Sequence, residues 1–174
     1  MTETSDIVWA GKYLRVTKRG TWEYVSRTRN VTAAVILAID EGHVLLVEQY
    51  RVPLQAKCLE LPAGLVGDEE EGEAIELAAR RELEEETGYR AAEMIDLGRY
   101  FSSPGMSSEG FSLYLAKGLT KVSEGGGVEG ENITVHRIPL GEVAAFVDAQ
   151  RREGIRIDVK ILLLIAGQLL PAAG

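Results

Sequence analysis

The sequence predicts an α/β fold of the α+β kind, with a mixed central sheet between helices and an extension of antiparallel strands at the N-terminus. Three observations lead to this prediction. Short segments rich in β-branched and aromatic residues outnumber the helical segments. Two such segments, joined by a tight turn, precede the first strongly apolar strand. Strands and helices do not alternate strictly, as they would around a wholly parallel sheet.

The N-terminal half of the chain is predicted to consist mostly of strands. Arg19-Gly20 and Asp40-Glu41-Gly42 are turn sequences that separate consecutive strands. The segment before the second turn is almost wholly apolar, as a buried strand should be. A predicted loop, residues 51–57, contains Pro53. The four predicted strands are residues 12–18, 21–27, 32–39 and 43–50.

One helix is predicted in the middle of the chain, over residues 73–87. This segment is rich in Ala, Leu, Glu and Arg, contains neither Gly nor Pro, and ends at Gly88. Residues 123–131 are glycine-rich and are predicted to form a mobile loop. Asp158 has the residue type of an N-cap for the last helix. The remaining predicted elements are strands over residues 89–101, 110–116 and 133–138 and helices over residues 140–153 and 158–170.

Composition predicts a single soluble domain in the cytoplasm. A length of 174 residues and a hydrophobic fraction of 45% suffice for one core. The net charge of −8 argues against nucleic acid or an anionic membrane as a partner. The one cysteine, Cys58, excludes an intramolecular disulfide and fits a reducing compartment. Residues 1–6 lack the apolar part of a signal peptide, and the apolar run 161–166 is too short to cross a bilayer.

Three glutamates of the central helix share one face. Glu82, Glu85 and Glu86 are three and four residues apart, so that their carboxylates converge. Their mutual repulsion is reversed around a hard divalent cation, since magnesium prefers oxygen ligands. Arg81 supplies partial neutralisation. The alternative is a solvated helix face with Arg–Glu pairs, but no lysine lies between these glutamates.

The helix belongs to a longer motif, Gly67-x5-Glu73-x7-Arg81-Glu82-Leu83-x-Glu85-Glu86-x-Gly88-Tyr89. This motif resembles the signature of the Nudix hydrolases at the required spacing, except that the last position is normally aliphatic and here is Tyr89. Relatives that begin this region with Ala-Gly usually open the signature with that glycine. Here Ala63-Gly64 lies three residues upstream of Gly67. Either Gly67 fills the role by pattern, or Gly64 does and the loop, which includes Glu69 to Glu71, is three residues longer. We favour the second alignment.

The resemblance implies a Nudix-type α/β/α sandwich in which the signature forms a loop, a helix and a loop. It divides the chain into N-terminal strands, residues 1–30, and a Nudix hydrolase domain, residues 31–174. Relatives form dimers whose N-terminal strands exchange between subunits, so a homodimer is expected from the resemblance. The expected partner is a small nucleotide substrate, with neither nucleic acid nor a membrane.

Three further segments resemble one branch of the family, the ADP-ribose pyrophosphatases. They are Val47-Glu48-Gln49-Tyr50-Arg51, Glu60-Leu61-Pro62-Ala63-Gly64 and Ser103-Pro104-Gly105 followed by Glu109. The resemblance implies metal-dependent hydrolysis of the pyrophosphate bond of a nucleoside diphosphate sugar, first of all ADP-ribose to AMP and ribose 5-phosphate. GDP-mannose or another nucleoside diphosphate sugar is an alternative substrate. A third hypothesis is a module that senses a nucleotide without cleaving it, but a pure sensor need not keep three repelling carboxylates.

The resemblance also implies a metal centre and a general base. The expected metal ligands are Ala63, through its carbonyl, and Glu82, Glu85 and Glu86. The expected metal is Mg²⁺, with Mn²⁺ as a substitute. Glu131 lies on the glycine-rich loop before a late strand and is the expected base that takes the proton of the attacking water. Glu129, Glu85 and Glu86 are alternative bases, and Arg81 supports the catalytic glutamates.

The residues expected to bind substrate are Arg51, Trp22, Arg27 and Glu109. Arg51 is the expected phosphate ligand because guanidinium binds phosphate oxygens bidentately, although it could instead pair with Glu48 at the surface. Trp22 or Tyr24 either stacks on the base or packs in the core. Arg27 either faces the substrate phosphates or keeps an edge strand soluble.

Overall fold

The computed structural model describes residues 5–29, 31–67, 72–128 and 130–169, and within these ranges an eight-stranded sheet and a separate three-stranded sheet. The strands are β1 (Ser5–Ala10), β2 (Leu14–Arg19), β3 (Trp22–Arg27), β4 (Thr32–Asp40), β5 (His43–Arg51), β6 (Ala56–Glu60), β7 (Ala63–Val66), β8 (Tyr89–Phe101), β9 (Gly110–Lys121), β10 (Thr134–Pro139) and β11 (Arg156–Ile157). The α-helices are α1 (Ile75–Thr87), α2 (Val143–Arg152) and α3 (Leu162–Leu169), and short 3-10 helices occupy Val52–Leu54, Leu140–Glu142 and Val159–Ile161.

The large sheet is mixed, as predicted. Its strand order is β11-β6-β5-β4-β9-β8, with β10 also paired to β5 and β7 to β4. The pairs β4–β9 and β6–β11 are parallel, and the other pairs of this sheet are antiparallel. None of the helices in the described ranges is long and apolar enough to cross a bilayer.

Two apolar cores lie on opposite faces of this sheet. Alternation along β4 divides its side chains, with Ala34 and Ile36 packing toward α1 and Val35 packing toward α2 and α3. Leu83 of α1 is fully buried, which contributes roughly 1.5–3 kcal/mol to stability. Val143 of α2 is equally buried on the other face. The predicted α/β/α sandwich is therefore confirmed, with α1 on one side and α2 and α3 on the other.

The segment from β6 to β7 crosses between two strands that diverge. β4 and β5 pair only beside their turn. β6 pairs with the end of β5, while β7 pairs with the start of β4. Between them, the Ile36 N–H donates to the Pro62 carbonyl at 2.8 Å. This crossing brings Ala63 and Gly64 to the middle of the sheet, where β7 contacts α1.

Several predicted boundaries are wrong. The predicted loop 51–57 is a 3-10 turn followed by β6, and β1, β7 and β11 are further strands that the sequence analysis does not predict. The strand predicted to end at Ala116 continues to Lys121 and includes Gly118, which adopts a φ of 64° that glycine permits. Asp158 is confirmed as an N-cap, since its Oδ1 accepts from the Lys160 N–H at 2.8 Å. Both C-terminal helices begin with a 3-10 turn.

The three-stranded sheet is attached to the rest of the chain through β3. The Val25 N–H donates to the Met106 carbonyl at 2.9 Å, and the Val25 carbonyl accepts from the Ser108 N–H at 3.0 Å. At the opposite edge, every residue of β1 is exposed, and Ile7, Val8 and Trp9 each expose more than half of their surface. This sheet therefore presents apolar side chains that its own chain does not cover.

Candidate functional site

Glutamate side chains of helix α1 contact the backbone of strand β7. Glu86 is 5% exposed, and its Oε2 accepts from the Ala63 N–H at 3.0 Å. A β-carbon built on Gly64 would lie 1.8 Å from Cδ of Glu82. A side chain at position 64 would displace the Glu82 carboxylate from this place, so the structure favours Gly64 as the glycine of the favoured alignment. Residues 68–71, the predicted lengthened loop, lie outside the described residues.

The buried carboxyl group of Glu86 has an unusual protonation equilibrium. Burial is the main cause that raises the pKa of Glu86 to about 8, and the nearby charges of Glu82 and Glu131 act in the same direction. The Ala63 N–H and the charge of Arg51 oppose the rise in this pKa. Four groups from four parts of the chain thus act on one carboxyl group, which is typical of a functional site.

Arg81 holds several carboxylates of the helix together. Its Nη1 lies 2.9 Å from Oε1 of Glu82 and 3.2 Å from Oε2 of Glu85, and its Nε lies 3.4 Å from Oε1 of Glu73. Glu84 points away and forms a two-point pair with Arg90 at the surface. The predicted convergence of Glu82 and Glu85 is therefore present in the structure, on a shared guanidinium.

The donor set around this guanidinium suits a hard divalent cation. Glu82, Glu85 and Glu86 offer only oxygen atoms, as magnesium and manganese prefer. In the described ranges no three His, Cys, Asp or Glu side chains stand in metal-binding geometry. Instead, the carboxylates of Glu82 and Glu85 contact Arg81, and that of Glu86 contacts the Ala63 N–H. A cation bound to these oxygens would replace those contacts.

A cavity of about 520 Å³ opens beside Ala63 and Gly64, within the size range of small-molecule sites. Arg51 lines it, and its Nε and Nη2 donate to the two carboxylate oxygens of Glu60 at 2.6 and 2.7 Å. The alternative pairing of Arg51 with Glu48 is wrong, because Glu48 bonds Lys57 and His136 instead. The carboxylate of Glu60 orients the guanidinium of Arg51 in the wall of the cavity.

The other expected substrate-binding residues divide between two places. Arg27 and Glu109 line the same cavity and form an ion pair of 2.5 Å with each other. Trp22, 62% exposed, lines a separate depression with Tyr24 and Pro104. A single chain thus brings Arg27, Arg51 and Glu109 together at one cavity, while its Trp22 lies elsewhere on the surface.

The glycine-rich loop is bound to the end of α1. The Gly126 N–H donates to the Glu86 carbonyl at 2.9 Å, and the Gly127 N–H donates to the Glu85 carbonyl at 3.0 Å. Glu131 accepts from the Val128 N–H at 2.9 Å through its Oε2. The glycines permit close backbone contact between the loop and the helix. This role differs from the sequence prediction, in which the glycines make the loop mobile. Glu129, an alternative base, lies outside the described residues.

Several residues that complete the cavity wall are not predicted from the sequence. Glu60 is 6% exposed and forms an ion pair with Arg51. The sequence feature that could have indicated its role is a carboxylate between apolar residues just before Pro62. Asp158 was assigned only a capping role, and Lys160 and Phe111 none, yet all three line the cavity. No sequence signal connects them to it, because they are brought there by β9 and by the start of the last helical segment.

An α/β/α sandwich with this glutamate-rich helix against a glycine-containing strand defines a Nudix-type domain. The family model of the NUDIX domain matches residues 28–156. The chain belongs to the Nudix family. Nudix hydrolases generally use divalent metal ions. A solved structure described as an ADP compounds hydrolase shares the fold, with a TM-score of 0.71, 24% identity and coverage of 95% of this chain and 91% of that one.

Curated relatives carry several names. The chain is 40% identical over 119 residues to a methanol dehydrogenase activator of Bacillus methanolicus, covering 68% of this chain and 63% of that protein. It is 36% identical over 118 residues to an ADP-ribose pyrophosphatase of Bacillus subtilis, covering 67% and 62%. A GDP-mannose pyrophosphatase of Cronobacter sakazakii is 32% identical over 144 residues, covering 78% and 71%. The chain spans slightly less than two thirds of the length of the first two.

Replacing Gly64 by alanine is expected to lower the free energy of unfolding by about 1–3 kcal/mol, because the new methyl group would push Glu82 away or separate α1 from β7. Thermal and chemical denaturation followed by circular dichroism measure the change. Gly141→Ala is the matched control, because nothing lies within 4 Å of a β-carbon built there. Equal stability of the two variants would contradict the close contact.

The raised pKa of Glu86 predicts a pH-dependent stability. Because the folded carboxyl keeps its proton to about pH 8, whereas the ordinary value is 4.5, its contribution is fully present below pH 4.5 and is lost as pH rises toward 8. In EDTA, Glu86→Gln is expected to melt at a higher temperature than the wild type at pH 8 and to lose part of the decline between pH 5 and 8. Parallel melting curves of both proteins across that range would contradict the assignment.

Proposed function

We propose that this protein hydrolyses the pyrophosphate bond of nucleoside diphosphate sugars, with ADP-ribose as the first substrate and AMP and ribose 5-phosphate as products. The observation that carries the proposal is that Ala63 and Gly64, which contact Glu86 and Glu82 of α1, line the same cavity as Arg51. Carboxylates that gather a divalent cation and a guanidinium that binds phosphate are what a diphosphate requires.

The proposed metal ion is Mg²⁺, with Mn²⁺ as a substitute. Glu82, Glu85 and Glu86 would hold it together with the backbone carbonyl of Ala63. When bound, such an ion neutralises charge on the diphosphate and lowers the pKa of water. Arg81 already gathers Glu82 and Glu85, which limits the reorganisation that metal binding needs.

Arg51 and Arg27 are the proposed phosphate ligands. Each is held by a carboxylate, Glu60 for Arg51 and Glu109 for Arg27, and each lines the cavity. A guanidinium held in this way loses little conformational entropy when it binds phosphate. Glu109 would thus act by orienting Arg27 and by contacting the substrate. Trp22 is the proposed platform for the base, reached from a second subunit.

Glu131 is the proposed general base. Its carboxylate is near enough to raise the pKa of Glu86, and its loop is hydrogen bonded to the end of α1. In the reaction one phosphorus gains an oxygen from water, the bridging oxygen leaves with the other phosphate, and the proton of the water passes to Glu131. Arg81 would keep Glu85 and Glu82 oriented during this step.

GDP-mannose is the second candidate substrate, favoured by the similarity to a GDP-mannose pyrophosphatase. The base and the sugar differ from those of ADP-ribose, whereas the diphosphate is shared. A sensor that binds nucleotide without hydrolysis is the candidate from a different class. The three glutamates argue against a sensor, because without a bound metal ion their mutual repulsion would only destabilise the helix.

We further propose a homodimer in the cytoplasm. Residues 1–30 would form an arm that the second copy covers, appended to a Nudix hydrolase domain of residues 31–174. The exposed Ile7, Val8 and Trp9 of β1 support this arrangement. The single buried thiol of Cys58 supports a reducing compartment.

Incubation of the purified protein with MgCl₂ and a panel of ADP-ribose, other ADP-sugars, GDP-mannose and dinucleoside polyphosphates tests the proposed function. Chromatography should detect AMP from ADP-ribose at a higher rate than the nucleoside monophosphate from any other compound. Preferred release of GMP from GDP-mannose would select the second candidate. Release of no monophosphate from any compound would reject hydrolysis and leave the sensor.

Substitution of the glutamates separates their roles. Glu85→Gln and Glu86→Gln are each expected to lower kcat at least ~100-fold, as loss of a metal ligand should. Glu131→Gln should lower kcat strongly with little change in substrate binding. Glu84→Gln is the matched control, because Glu84 pairs with Arg90 outside the cavity. Near-normal rates for both helix variants would make α1 an ordinary surface, and an unchanged rate for Glu131→Gln would exclude it as the base.

The dimer proposal predicts that charge on β1 separates the subunits. Trp9→Glu is expected to convert a dimer into a monomer in size-exclusion chromatography with light scattering, because the interface would have to bury the carboxylate. Leu77→Glu is the control, since Leu77 is equally exposed but lies on α1. A wild-type protein that elutes as a monomer would exclude the dimer.

A further inference from the structure

β9 and the start of the last helical segment form one wall of the cavity. In this wall Lys160 is paired with Asp158. Lys160 Nζ lies 2.7 Å from Oδ1 of Asp158 and 5.6 Å from the centre of the Phe111 ring. The side chain of Lys160 is 15% exposed and that of Asp158 is 22% exposed, although both residue types usually lie in solvent. All three residues line the cavity that Arg51 lines.

This pair is connected to the Arg51 side of the cavity through β6. Asp158 donates its N–H to the Leu59 carbonyl at 3.0 Å, and the preceding strand β11 pairs with Cys58 and Leu59. Cys58 also lines the cavity. Burial raises the pKa of its thiol, and the charges of Glu60 and Asp158 act in the same direction. The wall therefore runs from the Arg51–Glu60 pair, past Cys58, to the pair of Asp158 and Lys160.

The two ends of this wall differ in their chemistry. The hydrogen bond to Glu60 raises the pKa of Arg51, and the charge of Glu86 acts in the same direction, so this end adjoins the glutamates of α1. The opposite end combines an ammonium group, a carboxylate and an aromatic face. An ammonium group has three donors, and within the described residues Lys160 Nζ forms its ion pair with Asp158.

An adjacent donor and acceptor match a hydroxyl group better than a phosphate. The Lys160 ammonium has no planar fork that could bind a phosphate bidentately, as the guanidinium groups of Arg27 and Arg51 have. A hydroxyl group both donates and accepts, so Asp158 and Lys160 can bind neighbouring hydroxyls at once. The face of Phe111 offers a surface for the apolar face of a sugar ring.

We propose that Asp158 and Lys160 bind hydroxyl groups of the sugar attached to the distal phosphate and so determine which nucleoside diphosphate sugars are accepted. The inference rests on the proposed function, because it assigns the sugar to the end of the cavity away from α1. Lys160 is then a specificity-determining residue, and its role is to bind the substrate rather than to take part in bond cleavage.

Calorimetric binding in EDTA tests the inference without turnover. Lys160→Met should weaken ADP-ribose binding by about tenfold, the loss of one charge-assisted hydrogen bond, and change ADP binding by less than twofold, because ADP lacks the distal sugar. Asp158→Asn should show the same selectivity while its amide oxygen still accepts from the Lys160 N–H. Lys57→Met is the matched control, a lysine with a 2.7 Å contact to the buried Glu48 and no place in the cavity lining.

Each outcome bears on the inference. Equal weakening for ADP-ribose and ADP would overturn it in favour of a phosphate ligand, and unchanged binding of both would overturn it in favour of a purely structural pair. Melting temperatures within a few degrees of the wild type show that the variants are folded. If the wild type binds ADP-ribose with this selectivity but releases no AMP in magnesium, the proposed hydrolysis fails while the sugar site stands. If it binds no ADP-ribose, the sugar site is rejected.

Discussion

The contact between α1 and β7 is the constraint on which the rest of the site depends. Glu86 is buried with its carboxylate on the Ala63 N–H, and Glu82 occupies the space that a side chain at Gly64 would fill. The two elements approach this closely because β6 and β7 cross between diverging strands. Carboxylates are placed there at an energetic cost, which the raised pKa of Glu86 records, and a divalent cation would offset it.

Paired charges organise the cavity beside that contact. Among the described residues three cations line it, and each has its own carboxylate: Arg27 with Glu109, Arg51 with Glu60 and Lys160 with Asp158. Such pairs are weak contributors to stability at a surface, but they hold long side chains in one orientation before a ligand arrives. The acidic chain can therefore present local positive groups to a substrate while its net charge remains −8.

Glycines connect the end of α1 to the loop that carries Glu131. Gly88 ends the helix with a φ of 76°, and a β-carbon on it would lie 2.3 Å from the Ser123 carbonyl oxygen. Gly126 and Gly127 bond the last carbonyls of the helix. These contacts satisfy helix-terminal acceptors and set the position of Glu131 relative to the glutamates of α1. The glycines thus serve close packing as well as chain reversal.

The sequence by itself determined α1, with Glu82, Glu85 and Glu86 on one face, because helical spacing is a local property. It also predicted β8 to the residue and the capping role of Asp158. It could not predict β6 and β7, since their pairing depends on how far β4 and β5 diverge. Tertiary structure alone decided that Arg51 pairs with Glu60, that Lys160 reaches the cavity and that Trp22 lies outside it within one chain. These are contacts between segments distant in sequence or across strands, and side-chain periodicity carries no information about them.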